Sequence, residues 1–271
     1  MTPAAAAPRP PHLGIFDSGI GGLSVLRALR QRLPQAACTY VADARHTPWG
    51  ERSSDWVVAR SLQLAGWLID EAGVDLVLVA CNTATTQAIT ALRARWPQMA
   101  FVGVEPGIKP AAAASRNGQV GVMATPGTLA SPRVAELIAR HAGQARVHAI
   151  PCPGLADAIE TEAPDSPHLG ALLDGFASAL RASGADTVAL GCTHYPLVAE
   201  ALAERLPPDV QLIDTADAVA RRVQQLLGLA EAPQPAMPAP LRLLSTGHPA
   251  ALQAAARRWL QADAVAEALD L

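Results

Sequence analysis

One segment of this 271-residue chain occurs twice, and the repeat constrains the fold more than any other feature. The first copy is VDLVLVACNTATTQAITALRARWP, from Val74 to Pro97, and the second is ADTVALGCTHYPLVAEALAERLP, from Ala185 to Pro207. Asp75 aligns with Asp186 and Cys81 with Cys192, an offset of 111 positions (192 − 81). In each copy a short apolar run ends on a small residue, Ala80 or Gly191. Cysteine follows, then a polar pair containing threonine (Asn82-Thr83, Thr193-His194), then helical periodicity. A buried strand, a cysteine at its C-terminal end and a helix just beyond is the layout of a site in an open α/β sheet. Two copies imply two such strand ends and two facing thiols.

The rest of the chain continues the alternation. Strands are expected at Leu13–Phe16, Cys38–Ala42, Leu76–Ala80, Phe101–Val104, Val120–Ala124, Val147–Ile150, Thr187–Leu190, Gln211–Ile213 and Leu241–Leu244. Helical patterns lie between them, among them Thr85–Arg95, Gly127–His141, Pro167–Ser183 and Pro196–Arg205. Strands that are almost wholly apolar and separated by helices mean mostly parallel sheets covered on both faces. The pattern breaks in the Pro/Gly-rich stretch after Val104 and again near Asp214. The expected fold is therefore α/β with two similar lobes, each a mostly parallel sheet flanked by helices, and the site in the cleft between them. Residues 13–104 with 214–271 form the lobe carrying Cys81, and 105–213 the lobe carrying Cys192. Glu231–Pro240 reads as an extended, Pro-rich connection.

Composition narrows the function. Half the residues are apolar and 17% charged, enough for two cores. A net charge of −3 argues against a nucleic-acid or membrane partner, whose binding surfaces are strongly basic. Residues 1–12, MTPAAAAPRPPH, lack the apolar stretch of a signal peptide and read as a disordered arm. With no apolar run of the ~20 residues a membrane span needs, a cytoplasmic location is expected. The four cysteines, Cys38, Cys81, Cys152 and Cys192, form no C-x-x-C pair, so their spacing offers no zinc or redox motif and no metal is expected. Lys109 is the single lysine, and a pyridoxal-phosphate enzyme would have to build its Schiff base there, in a turn-like EPGIKP.

Four constellations can carry chemistry. In LGIFDSGIGG, a strand meets a glycine-rich turn. With Gly19 and Gly21 as the first glycines of a dinucleotide loop, Ser24 occupies the third position, and Asp17 would repel a pyrophosphate. Three readings stay open: a nucleotide loop, a structural turn, and a polar site in which Asp17 and Ser18 face substrate. Pro48-Trp49-Gly50 is a rigid turn after a strand, of interest for its place at a strand end. Thr125 and Thr128 in ATPGT either hold a carboxylate or cap a helix. A single buried cysteine is usually a small apolar residue that fits, but the paired copies with polar neighbours favour reactive thiols. Each would sit near a helix N-terminus, whose positive end favours thiolate. His194, two residues from Cys192, is equally a structural histidine or a proton-exchanging one. Two thiols across a cleft suit inversion at carbon: one thiolate removes a proton and the other thiol delivers one from the opposite face, with no cofactor.

FDSGIGGLSVL, PWGERS, ACNTAT, ATPGT and GCTHYPL, in this order and spacing, resemble the glutamate racemases of the aspartate/glutamate racemase superfamily. The resemblance covers most of the chain from Leu13 to about Asp214. It implies a cofactor-independent, two-base racemase that makes D-glutamate for peptidoglycan, and suggests a homodimer. Carried across by motif, it implies Cys81 on the D face and Cys192 on the L face, with Asp17 and His194 assisting. Ser18, Trp49, Gly50, Asn82, Thr83 and Thr193 would bind substrate, Thr125 and Thr128 would touch a carboxylate, and Glu160 would stand near the second thiol. Trp49 and His248 depart from the Tyr and Asp usual in that family. A related racemase acting on aspartate, a hydantoin or another α-acid, and a two-lobed binding protein without chemistry, are the rival readings. Kinetics on glutamate against aspartate discriminate the first, and binding without proton exchange the second.

Overall fold

The computed structural model describes residues 9–229 and 239–271. The expected arm at 1–12 lies outside them up to residue 8, and the Pro-rich connection up to residue 238. The arm's last residues are tethered: Arg9 pairs with Asp75 at 2.5 Å, the His12 N–H donates to the same carboxylate at 2.8 Å, and His12 opens the first strand.

Among the described residues ten strands follow in chain order: β1 (His12–Asp17), β2 (Ala37–Ala42), β3 (Leu76–Val79), β4 (Ala100–Gly103), β5 (Gln119–Ala124), β6 (Arg146–Pro151), β7 (Thr187–Leu190), β8 (Gln211–Ile213), β9 (Leu241–Ser245) and β10 (Ala266–Ala268). They build two wholly parallel sheets, one in the order β10-β9-β2-β1-β3-β4 and one in the order β6-β5-β7-β8. β3 and β7 are buried along their whole length, as strands covered by helices on both faces must be. The repeat now acquires a topological meaning. In each sheet the first strand (β1 or β5) pairs with the next strand on one side and with the cysteine-bearing strand on the other. The order reverses there, and the reversal opens a crevice at the C-terminal strand ends. Both cysteines therefore stand at switch points.

The lobes share apolar packing. One cluster joins Leu13, Leu23 and Leu78 of the first sheet's side to Met123, Leu180 and Val188 of the second. Val219 and Val223 of the helix Ala216–Leu226 belong to it as well, and Asp217 of that helix meets Arg32 at 3.0 Å.

Four local expectations change. The stretch Gly127–His141 is two helices, Pro126–Leu129 and Pro132–His141, because Pro132 keeps Ser131 extended and the Ser131 hydroxyl caps the second helix on Val134 N. Pro196–Arg205 is a 3₁₀ turn, Tyr195–Val198, followed by a short helix, Ala199–Ala203. In the first copy the Thr85 N–H closes a helical bond to the Cys81 carbonyl at 2.8 Å. Pro196 stands at the equivalent position and has no N–H, so the Cys192 carbonyl takes a tighter bond from Tyr195 N. Trp49–Glu51 forms a 3₁₀ turn, and β10 adds an unexpected edge strand whose short, exposed sequence carries little signal. No helix among the described residues is long and apolar enough to cross a membrane.

Candidate active site

Cys81 and Cys192 end β3 and β7 and are nearly closed off from solvent, at 5% and 7% exposure. Their surroundings differ. Cys81 is the N-cap of the helix Asn82–Arg95, and its sulfur accepts from Ala84 N at 3.5 Å. Its S–H donates to Ser18 Oγ at 3.8 Å. Burial, and then the carboxylate of Asp17, push the Cys81 thiol up to about 12, so it is a protonated thiol at neutral pH. The helix end at Cys81 does not override burial. Cys192 starts no long helix; its sulfur lies 3.7 Å from His194 Nδ1.

A run of hydrogen bonds joins the two sides. Ser18 donates to Asp17 Oδ1 at 3.1 Å, and Thr193 donates to Asp17 Oδ2 at 2.8 Å. Asp17 is fully buried at the end of β1, and burial raises its carboxyl above the ordinary range against the opposing pull of His194. His194 is clasped on its other nitrogen by Glu160, with Nε2 2.7 Å from Oε2. Burial alone would lower the imidazole. The Cys192 sulfur and the Glu160 carboxylate outweigh it and hold His194 well above its usual value, as an imidazolium.

The glycine-rich turn is satisfied from within the protein. Its N–H groups are occupied by protein carboxylates: Gly19 donates to Asp17 at 2.9 Å and Ile20 to Glu160 at 2.9 Å. Gly19 and Gly21 are demanded by contact with the other lobe. A Cβ on Gly19 would lie 2.4 Å from the Glu160 carboxylate, and one on Gly21 2.4 Å from His194 Nδ1.

A second junction is made of hydroxyls. Thr83 on the Cys81 helix lies 3.1 Å from Thr125 and from Thr128, and Thr125 donates to Thr128 at 3.0 Å. Thr125 also caps its short helix, the second of the two readings of ATPGT. The Gly50 backbone packs directly on Thr125 and Gly127. Two predicted contacts are engaged elsewhere. Asn82 Nδ2 donates to the Val104 carbonyl at 2.9 Å, and the Trp49 ring is buried with its N–H on Asp43 at 3.2 Å. Sequence reasoning passed over Asp43 and its partner Arg60. The signal was present as an acidic residue closing an apolar strand. His248 lies at the start of the helix Pro249–Leu260, outside these networks. Lys109 lines a separate cavity of about 980 Å³ whose walls include neither Cys81 nor Cys192.

Residues 23–223 match the family model for Asp/Glu/Hydantoin racemase. A glutamate racemase of Ectopseudomonas mendocina (strain ymp) is 50% identical over 226 residues, covering 83% of this chain and 86% of that protein. The crystal structure of glutamate racemase isoform RacE1 from Bacillus anthracis is similar with a TM-score of 0.86 and 28% identity, covering 97% of this chain and 99% of that one. The Escherichia coli glutamate racemase, solved with L-glutamate and the activator UDP-MurNAc-ala, gives a TM-score of 0.84 and 32% identity, covering 96% and 98%.

Proposed function

Because the chain belongs to the Asp/Glu/Hydantoin racemase family, we propose that it interconverts L- and D-glutamate by proton transfer between two cysteines, without a cofactor, and supplies D-glutamate for peptidoglycan in the cytoplasm. One observation supports the mechanism: Cys81 and Cys192 close the switch-point strands of two sheets, Cys81 bonded to Ser18 of the Ser18–Asp17–Thr193 network and Cys192, the residue before Thr193, set against His194. The lobes are taken as residues 13–104 with 214–271, and 105–213; a homodimer is the expected assembly.

In the L-to-D direction, Cys192 as thiolate takes the Cα proton of L-glutamate. The carbanion's electron pair then takes the proton of the Cys81 S–H on the opposite face. D-glutamate leaves with Cys192 as thiol and Cys81 as thiolate, and proton exchange with solvent, Cys192 losing one and Cys81 gaining one, restores both for the next L-glutamate. The imidazolium of His194 stabilises the thiolate at Cys192, and Glu160 keeps that imidazole charged. Cys81, a thiol at rest, is ready to give its proton to the carbanion once Cys192 has taken the first, which suits D-glutamate formation from L-glutamate. Thr83, Thr125 and Thr128 would hold a substrate carboxylate, and the Gly50 backbone would bound it.

The test is solvent deuterium incorporation at Cα of glutamate by protein free of pyridoxal phosphate. Cys81→Ser and Cys192→Ser should each abolish full turnover, and Lys109→Ala should not. Full turnover by either cysteine variant refutes the two-thiol mechanism, and a higher kcat/KM for aspartate than for glutamate refutes the substrate.

A further inference from the structure

Behind the Pro48–Gly50 turn lies a buried charged hub that the proton-transfer chemistry does not use. Asp43, fully buried just beyond β2, accepts from five donors. Arg60 Nε reaches Oδ2 at 3.0 Å and Arg60 Nη2 reaches Oδ1 at 2.6 Å. Thr246 donates to Oδ1 at 2.8 Å, Trp49 Nε1 to Oδ2 at 3.2 Å, and His46 Nδ1 lies 3.1 Å from both oxygens. These donors come from the loop after β2, the helix Ser54–Asp70 and the end of β9. The Asp43 N–H itself donates to the carbonyl of Asp17 at 2.9 Å, so the hub is one strand away from the reacting centre. A buried ion pair adds little stability over apolar packing of the same volume, so its persistence here asks for another reason.

The hub reaches the site through Trp49. Its ring packs against Phe16 and edge-on against Trp56, and its one polar atom is the N–H held by Asp43. The next residue, Gly50, is closely packed. A Cβ there would lie 2.6 Å from Thr125, and a Cβ on Gly127 would lie 2.6 Å from the Gly50 carbonyl. Any shift of the indole is therefore passed to the turn that carries Thr125, a corner of the hydroxyl triangle.

We propose that Asp43, clamped by Arg60 and Thr246, is a positioning residue that acts through the Trp49 indole to set the Gly50 backbone against Thr125, and so sets substrate affinity. This rests on the reading of Gly50 and the threonines as substrate contacts. The two sulfurs hang from β3 and β7 and keep their own partners, Ser18 and His194. Loosening the hub thus weakens ground state and transition state alike, which raises KM and spares kcat.

Trp49→Phe keeps the aromatic packing and removes the N–H. In steady-state assays with L- and D-glutamate, KM should rise five- to thirty-fold with kcat within twofold of the unsubstituted enzyme. Thr246→Val, which removes a neutral donor from the same carboxylate, should shift KM the same way by a smaller factor. Asp43→Asn strands Arg60 and is a poorer test of function if it fails to fold. An unmoved KM in both Trp49→Phe and Thr246→Val, or a kcat that falls in step with kcat/KM, overturns the assignment while leaving the racemase intact. An unsubstituted protein that racemises no glutamate overturns both.

Discussion

Gly21→Ala probes the site where two lobes meet, and its effect can be worked from distances. The added methyl carbon would lie 2.4 Å from His194 Nδ1 and 2.8 Å from its Cε1 and Cγ. That is roughly 1 Å inside ordinary van der Waals contact at ~3.5 Å. Gly21 has no positive φ, so its backbone accepts alanine and the clash with the ring is the whole obstacle. The ring has nowhere neutral to go, since Cys192 holds one nitrogen at 3.7 Å and Glu160 the other at 2.7 Å. Overpacking of this size costs about 1–3 kcal/mol. A displacement of ~1 Å in a catalytic group can cost on the order of 10²-fold in rate. We expect kcat/KM to fall about a hundredfold, equally for both enantiomers because they are isoenergetic, while the melt stays cooperative. Gly118→Ala is the matched control: its φ of +72° strains any side chain, but nothing lies within 4 Å of the added carbon. It should lose stability of about 1–2 kcal/mol and keep its kcat/KM. If Gly21→Ala loses stability yet turns over as fast as the control, the placement of His194 beside Cys192 is irrelevant to catalysis and the mechanism is wrong.

Further outcomes are expected at His194 and at Asp43. His194 is raised above its unfolded value near 6.5, so the stability it contributes is full below that pH and is lost as pH rises through the folded value. Urea unfolding of the wild type should therefore weaken on the alkaline side of 6.5, and Glu160→Gln should flatten that decline; identical slopes would contradict the assigned pairing. Glu160→Gln should also slow turnover by up to about 10³-fold, since a thiolate 3.7 Å from an imidazolium gains about 4 kcal/mol at an effective dielectric constant of ~20. Arg60→Met leaves the Asp43 carboxylate buried without its cation, a loss of about 3–5 kcal/mol, or roughly 10 °C in Tm. Burial is the largest influence on Asp43 but Arg60 and its other partners outweigh it and lower the carboxyl. The stabilisation is therefore present above the unfolded value of 3.8 and fades as pH falls through the folded one, so the gap between wild type and variant should narrow in acid. A gap that is constant with pH would remove Asp43 from the account.

Much of this was legible in the sequence because it is local. Apolar runs of strand length, the helical periodicity between them and the duplicated cysteine segment follow from side-chain chemistry along the chain, and they determine a parallel α/β fold in two parts. The helical periodicity of Pro196–Arg205 misled at one point: Pro196 stands where the first copy has Thr85, and its missing N–H leaves the second cysteine without a regular helix. What only the tertiary structure decided is which groups are taken out of water and which face one another. Nothing in FDSGIGG reveals that Gly19 and Gly21 clear Glu160 and His194, which lie more than 130 positions further along the chain. Nor does it reveal that the turn's N–H groups are filled by carboxylates of the protein. The charge state of Cys81 belongs to the same class. A helix N-terminus argued for thiolate, and burial beside Asp17 reversed it, because desolvation depends on everything packed around the sulfur and not on its neighbours in sequence.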